Sequence, residues 1–142
     1  MNIKQLHQKF LECNSIIDID SRSISEGSIF FAIKGENFDG NKFASEALKN
    51  GSKIAVIDSD DINFNKNDNI IKVDDSLKTL QNLALFHRKS MKSKILAITG
   101  SNGKTTSKEL IHSILSTSYK TISTDGNFNN HIGVPLSLLK IK

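Results

Sequence analysis

Apolar residues recur along the chain with two alternating periods. Ile3, Leu6, Phe10 and Cys13 stand at helical spacing and predict a first helix that Asn14-Ser15 ends. Ile16 to Ile19 and Ser28 to Ile33 are short β-rich runs, the second opened by Gly27 and closed by Gly35. Gly35 to Gly40 reads as a loop. Phe43, Ala44, Ala47 and Leu48 form a helical stripe stopped by Asn50-Gly51. Lys53 to Ile57 has the pattern of a buried strand, Ser59 to Asn69 is a polar loop, and Ile70 to Val73 is another short strand. Asp75 or Ser76 can cap a helix from Leu77 to about Met91, with Leu80, Leu83, Ala84 and His87 on one face. After the basic stretch Ser90 to Lys94 a new unit begins. It comprises the apolar run Ile95 to Ile98, a glycine-rich turn and a helix from Lys104 to about Ser116. Leu110, Ile111, Ile114 and Leu115 form the apolar side of that helix. Thr121 to Ser123 reads as a strand, Asp125 to Gly133 as a loop, and Pro135 to Leu139 as the start of a last helix. Strands alternating with helices predict an α/β fold with parallel pairing, divided at about residue 92 into units 1–92 and 93–142.

Composition narrows the class. With 8 Gly, 1 Pro and 1 Cys among 142 residues, the chain is neither low-complexity nor a disulfide scaffold. No apolar run reaches the ~18 residues of a membrane span, and residues 1–10 lack the apolar centre of a signal peptide. The expectation is a soluble, cytoplasmic protein. Net charge is +4, but unevenly placed: 9 basic and 13 acidic residues precede Ser76, while 10 basic and 2 acidic residues follow from there. The basic second part points to an anionic ligand. Nucleic acid is a poor candidate, because aromatics make up 6% of the chain and no aromatic-basic motif is present.

The sharpest chemistry lies in Thr99-Gly100-Ser101-Asn102-Gly103-Lys104-Thr105-Thr106, between a predicted strand and a predicted helix. Glycines let backbone N–H groups turn toward phosphate oxygens, and the helix N-terminus adds partial positive charge. Lys104 can reach the β- and γ-phosphates, and the Thr105 hydroxyl can ligate Mg²⁺. Two residues separate Gly100 from Gly103, where the usual Walker pattern has four. The bland alternative is a strand-to-helix turn that happens to carry Gly, Lys and Thr.

This loop is similar to the ATP loop of the Mur ligase superfamily, in which the short Gly-x-x-Gly-Lys-Thr form is the rule. Two further motifs carry the same resemblance. Gly126-Asn127-Phe128-Asn129-Asn130-His131-Ile132-Gly133-Val134-Pro135-Leu136 resembles a segment of the branch that joins D-alanyl-D-alanine to a UDP-N-acetylmuramoyl-tripeptide. Asp20-Ser21-Arg22, Gly27 to Ala32, Gly35, Asp39-Gly40 and Phe43 resemble the N-terminal UDP-binding domain of the family's third and fourth amino-acid-adding ligases.

The resemblance implies a small α/β UDP-binding domain, followed by the first β-loop-α-β part of a P-loop ATPase-like central domain. It implies ATP and Mg²⁺ as cofactors. It also implies a reaction in which ATP phosphorylates the tripeptide carboxylate and the dipeptide amine displaces phosphate. Gly100, Ser101, Asn102, Gly103, Lys104, Thr105 and Thr106 would hold ATP, with Lys104 catalytic and Thr105 on the metal. Ser21 and Arg22 would contact the UDP portion, and Asn127, Asn129, Asn130 and His131 would lie near the muramoyl peptide. Asp39 and Gly40 would shape a loop. The family's ligases have three domains and are expected to be monomers when complete. This chain resembles the first domain and the opening of the second, so it is not expected to be a competent ligase alone. The segment before about Ser93 is expected to fold by itself, leaving apolar faces at Ile95–Ile98 and Ile111/Leu115 partly exposed.

Other readings stay open. The relative that adds the third amino acid, and a non-catalytic UDP-sugar-binding remnant, share the N-terminal motifs. Arg22 could instead pair with Asp18 or Asp20, and the Asn-rich segment could be a plain turn. His7 and His112 are expected on helix surfaces and His87 on a core-facing edge. No zinc site is expected, because no His or Cys partners stand at ligand spacing. Cys13 reads as a small buried residue. One of Phe30 and Phe31 belongs in the core, leaving the other free to lie against the uracil.

Overall fold

A computed structural model describes residues 1–60, 69–126 and 128–142. Helix α1 (Ile3–Glu12) starts at a capping box: Asn2 Oδ1 accepts the Gln5 N–H at 2.9 Å, and Gln5 Oε1 accepts the Asn2 N–H at 3.0 Å. It ends where Asn14 and Ser15 adopt left-handed φ values of 57° and 56°. The turn delivers β1 (Ile17–Asp18) to the edge of a sheet whose other strands are β2 (Ile29–Phe31), β5 (Ile54–Ile57) and β6 (Ile70–Lys72). All three pairings are parallel, with Ile17 opposite Ile29, Phe30 opposite Ala55 and Val56 opposite Ile71. The expected α/β class with parallel pairing is what forms.

The two central strands are buried on both faces, which explains their unbroken apolar runs. Period-2 alternation divides their side chains. Ile29, Phe31, Ile54 and Val56 pack with Leu6 and Phe10 of α1 and with Leu80, Leu83 and Ala84 of α3 (Ser76–Ser90). Phe30, Ala55 and Ile57 face the other way, onto Ala44 and Ala47 of α2 (Ala44–Lys49). Phe30 and Phe31 are thus both core residues, one in each layer. The expectation that one was free to touch a ligand is corrected by helices covering both faces of β2.

Residues 35–40, expected as a loop, form a small hairpin of β3 (Lys34–Gly35) and β4 (Phe38–Asp39), followed by a 3-10 turn over Gly40–Phe43. Gly40 runs so close to the backbone just after β2 that a Cβ there would sit 2.7 Å from the Ile33 carbonyl oxygen and 2.8 Å from its nitrogen. Asn41, buried beside it, ties the hairpin to the end of β5. Its Nδ2 donates to Asp39 Oδ1 at 2.7 Å and to Asp58 Oδ1 at 2.9 Å, while its Oδ1 accepts the Asp58 N–H at 2.9 Å. Asp58 also accepts the first-turn N–H of Ser76 at 3.0 Å and pairs with Lys34 at 3.3 Å. Burial pushes the Asp58 carboxyl up, but the Ser76 N–H, the Asn41 amide and Lys34 together outweigh it and hold the carboxyl below the usual carboxylate range.

The second unit is organised differently from its sequence pattern. Ile95–Ile98 and Thr121–Ser123 do not form strands, because a strand exists only through its ladder and no described segment pairs with either. Helix α4 (Lys104–Ser116) has the expected limits but buries no residue. Leu96 and Ile114 remain 63% and 68% exposed, as anticipated for apolar faces that lack a covering layer. Helix α5 (Gly133–Leu139) instead returns to the first unit and packs on α3, with Leu139 and Ile141 buried and Leu139 part of the main core. Much of the polar segment 59–69 lies outside the described residues.

Gly40→Ala should cost about 1–3 kcal/mol in urea unfolding, because backbone rather than a movable side chain fills the space. Gly35→Ala, whose Cβ would meet only the Phe38 carbonyl at 4.0 Å, should be near neutral. Asp58 should also leave a mark on acid stability. Its lowered carboxyl stabilises the fold above the unfolded value near pH 3.9, and that contribution is lost as pH falls through the folded value. Asp58→Asn should cost about 1–2 kcal/mol at pH 7, with the gap to the parent chain narrowing below about pH 4. A gap that is flat between pH 7 and pH 3 would refute the assignment.

Candidate functional site

The loop before α4 is shaped by two glycines. Gly100 has φ 148° and Gly103, the N-cap of α4, has φ 76°. Nothing lies within 4 Å of a Cβ at Gly103, so glycine is required there for its left-handed backbone and not for room. No side chain caps α4, and its first turn carries no acidic residue. The leading N–H groups are therefore without the usual side-chain acceptor, and the positive end of the helix is not neutralised. Lys104 is the first helical residue. Its Nζ folds back to donate to the Gly100 carbonyl at 2.5 Å and the Ser101 carbonyl at 3.3 Å. Ser101, Asn102, Thr105 and Thr106 are all exposed. The seven residues expected to hold a nucleotide thus form one continuous open surface.

The donor set fits a polyphosphate: N–H groups, an ammonium and hydroxyls, with no carboxylate to repel it. Among the described residues, no group of three His, Cys, Asp or Glu could hold a metal ion. Within this loop the Thr105 hydroxyl could ligate Mg²⁺ beside phosphate oxygens and water, partners that suit an ion which keeps much of its hydration.

The second candidate segment joins α4 to the first unit. Lys108 Nζ donates to the Thr124 and Gly126 carbonyls at 2.6 and 3.1 Å, tying the segment's start to α4. Asn130 Oδ1 accepts the N–H groups of Ile132 at 3.1 Å and Gly133 at 2.7 Å, so it satisfies the first free N–H of α5, whose N-cap residue Ile132 has no side-chain acceptor. Gly133 is packed so closely on Phe128 that a Cβ would meet the Phe128 Cβ at 2.5 Å. Asn129 and His131 are exposed, and the His131 carbonyl accepts Gln81 Nε2 of α3 at 3.0 Å. Asn127 lies outside the described residues. Phe128, Leu136 and Lys140 face Ile16 and Ile17 at the sheet edge across an open cleft of about 370 Å³.

Ser21 and Arg22 lie just beyond the C-terminal end of β1. Ser21 is buried, its carbonyl accepting Asn50 Nδ2 at 2.8 Å. Arg22 is 83% exposed, and its fork is taken by Asp20: Nε to Oδ1 at 2.8 Å and Nη2 to Oδ2 at 2.6 Å. Hydrogen bonds from the guanidinium, then from the Arg22 N–H, hold the Asp20 carboxyl down at about 2. Of the two pairings left open by sequence, this is the Asp20 one. No described hydrogen bond or ion pair joins Ser21 or Arg22 to the loop before α4 or to Asn129–His131. Asp39 and Gly40 shape the hairpin, as expected.

Sequence reading missed two polar constellations. One is the Asn41–Asp58 node. The other is His7, expected on a surface but buried against His87, with Nε2 and Nδ1 2.9 Å apart. The signal was present: His7 lies four residues after Ile3 and three before Phe10, on the apolar stripe of α1. Burial, and then the neighbouring His87, lower the His7 pKa.

Comparison with known proteins bears on both units. Residues 15–88 match the family model described as Mur ligase family, catalytic domain, and residues 98–142 match the Mur ligase middle domain. The UDP-N-acetylmuramoyl-tripeptide–D-alanyl-D-alanine ligase of Bacillus subtilis is 42% identical over 120 residues, which is 84% of this chain and 26% of that protein. The UDP-N-acetylmuramoyl-L-alanyl-D-glutamate–2,6-diaminopimelate ligase of Clostridium botulinum is 37% identical over 139 residues, 92% of this chain and 29% of that protein. Among solved structures, the MurF ligase of Thermotoga maritima in complex with ADP superposes with a TM-score of 0.77 at 35% identity, covering 89% of this chain and 29% of that one. The chain thus spans between a quarter and a third of the length of these proteins. With more than half of its residues inside one family model, and both units matched in order, the chain belongs to the Mur ligase family.

Proposed function

We propose that this chain is part of an ATP-dependent ligase of peptidoglycan precursor synthesis that joins D-alanyl-D-alanine to UDP-N-acetylmuramoyl-tripeptide through an acyl phosphate. In this reading residues 1–92 bind the UDP precursor and residues 93–142 open the ATP-binding domain. The break between the two matched family segments, after residue 88 and before residue 98, supports that division. No described helix is long and apolar enough to cross a membrane, which agrees with work in the cytoplasm on a soluble nucleotide-linked precursor.

The observation that carries the reading is the uncapped, glycine-hinged start of α4 with Lys104 at its first position. Amide formation needs an anionic carboxylate to approach an anionic γ-phosphoryl group. The loop N–H groups and the positive end of α4 would hold the phosphate chain. Lys104 would exchange its two carbonyl partners for phosphate oxygens and offset the charge that builds up during transfer. Thr105, with Thr106 as the second choice, would ligate Mg²⁺, which screens the same repulsion when bound. Asn129 and His131, exposed near the sheet-edge cleft, offer hydrogen-bond donors and acceptors to the muramoyl peptide, and Asn127 belongs to the same motif. Asn130 does part of its work on the α5 backbone. Ser21 and Arg22 would meet the UDP portion, with Arg22 giving up Asp20 for a diphosphate. That exchange is cheap, since so exposed an ion pair contributes little.

A second reading, the ligase that adds the third residue, is favoured by the Clostridium botulinum relative, which matches nearly the whole chain. Competition between the tripeptide and dipeptide precursors separates the two. The central test is nucleotide binding to the 142-residue chain. ADP and ATP should bind, and Lys104→Ala should weaken ATP by at least tenfold while leaving UDP-precursor affinity within twofold. UDP-precursor binding with no measurable ATP or ADP binding would overturn the ligase reading in favour of a sugar-nucleotide-binding module. The chain alone should release no ADP from ATP, precursor and dipeptide together.

A further inference from the structure

The sequence holds two Asn-Gly pairs, Asn50-Gly51 and Asn102-Gly103, and the fold treats them in opposite ways. A glycine after an asparagine leaves the peptide nitrogen between them unshielded, because no Cβ stands beside it. That nitrogen can attack the asparagine side-chain amide. Around Asn50 the fold opposes the attack. Asn50 Nδ2 donates to the Ser21 carbonyl at 2.8 Å, and the Gly51 N–H donates to the Leu48 carbonyl at 3.4 Å. Turning the amide onto the Gly51 nitrogen would break both bonds.

At Asn102 these restraints are missing. Asn102 and Gly103 are both exposed, and among the described residues no hydrogen bond holds the Asn102 amide or the Gly103 N–H. A Cβ at Gly103 would meet nothing within 4 Å, so a ring has room to close there. Gly103 is also the N-cap of α4, which has neither a side-chain cap nor an acid in its first turn. The positive end of the helix stabilises the Gly103 nitrogen as it loses its proton. The Lys104 ammonium, folded back on the Gly100 and Ser101 carbonyls, adds to the same field. The two Asp-Gly pairs are poorer sites for the same chemistry. The Gly40 N–H is bonded to the Ile33 carbonyl at 3.1 Å. Lys140 pairs with Asp125 and holds its carboxyl below the usual carboxylate range, and an ionised carboxylate resists attack.

We propose that Asn102 is a site of spontaneous deamidation whose product closes the loop to phosphate. The Gly103 nitrogen gives its proton to solvent and bonds to Asn102 Cγ. The Cγ–Nδ2 bond breaks, and ammonia leaves with a proton taken from solvent, so that a five-membered succinimide remains. Water then opens the ring at either carbonyl. One opening yields aspartate on the original backbone, and the other yields isoaspartate with the chain rerouted through the side chain. One water enters and one ammonia leaves, with no oxidant or reductant. Either product sets a carboxylate at the start of α4 beside Lys104. It competes with phosphate for the leading N–H groups and for the ammonium. A bound nucleotide would engage the same N–H groups, so occupied loops are protected and empty ones age. The closure rests on the function proposed above, whereas the modification does not.

Incubation of the 142-residue chain at pH 8 and 37 °C tests the site without any ligand, read by peptide mapping and by enzymatic methylation of isoaspartyl carboxyls. Conversion at residue 102 should outpace that at residue 50 by about tenfold, since Asn50 must first break its hydrogen bonds. Equal rates at the two positions would overturn the modification site. So would an Asn102 that keeps its amide while a free peptide of residues 99–106 loses it. Asn102→Asp should weaken ATP binding about tenfold through its added negative charge, and ATP with Mg²⁺ should slow conversion in the parent chain. A parent that binds ATP no better than Asn102→Asp does would overturn the closure and leave the modification site standing. A parent that binds no ATP would refute the nucleotide reading and the closure with it, and the ratio of conversion at residues 102 and 50 would still decide the site.

Discussion

Two short strands, β2 and β5, bury both of their faces, and the remainder of the structure follows from that constraint. A strand with apolar side chains on each face cannot border water, so each face must find a helix. The α1 and α3 helices cover Ile29, Phe31, Ile54 and Val56, while α2 covers Phe30, Ala55 and Ile57. Burying a side chain such as Phe30 or Phe31 is worth about 1.5–3 kcal/mol, far more than an exposed pair such as Arg22–Asp20 supplies. Between β2 and β5 the chain passes through α2 on one face of the sheet, a crossover that makes that pairing parallel, and β1 and β6 pair parallel on either side. All strands then point their C-terminal ends to one edge.

At that edge the polar chemistry of the first unit collects, because the loops leaving parallel strands are where backbone groups lack ladder partners. Asp20, Ser21 and Arg22 follow β1, the β3–β4 hairpin follows β2, and Asp58 follows β5. The Asn41–Asp58 node converts this neighbourhood into a fixed arrangement. One carboxylate gathers an amide, an ammonium and the first N–H of α3, so the hairpin, the end of β5 and the start of α3 share one anchor.

Sequence legibility tracks how local each determinant is. The limits of α4 are readable because Gly103 and the run from Lys104 to Ser116 encode them within one stretch of chain. The doubly covered strands are readable as runs of apolar residues, but which layer each residue joins is not, and so Phe30 and Phe31 both went inside. His7 carried a helical-stripe signal that its polarity masked, and its partner lies 80 residues away. The apolar run Ile95–Ile98 shows the opposite failure. Its pattern is that of a strand, yet pairing is a property of two segments and only one is present among the described residues.

The same distinction separates the two halves of the candidate site. The candidate nucleotide loop needs only two glycine backbone angles, a helix start and a lysine, all within seven consecutive residues, and it takes this form on a helix that buries nothing. The Asn129–His131 segment has no such autonomy. Its position depends on Asn130 accepting the first N–H of α5, on Gln81 holding the His131 carbonyl, and on α5 being seated on α3. Changes in the first unit's core should therefore be felt by this segment and little by the loop. Under the function proposed above, that asymmetry would serve two anionic partners held in register: one partner's cradle would be built locally, and the other's referred to the rigid sheet.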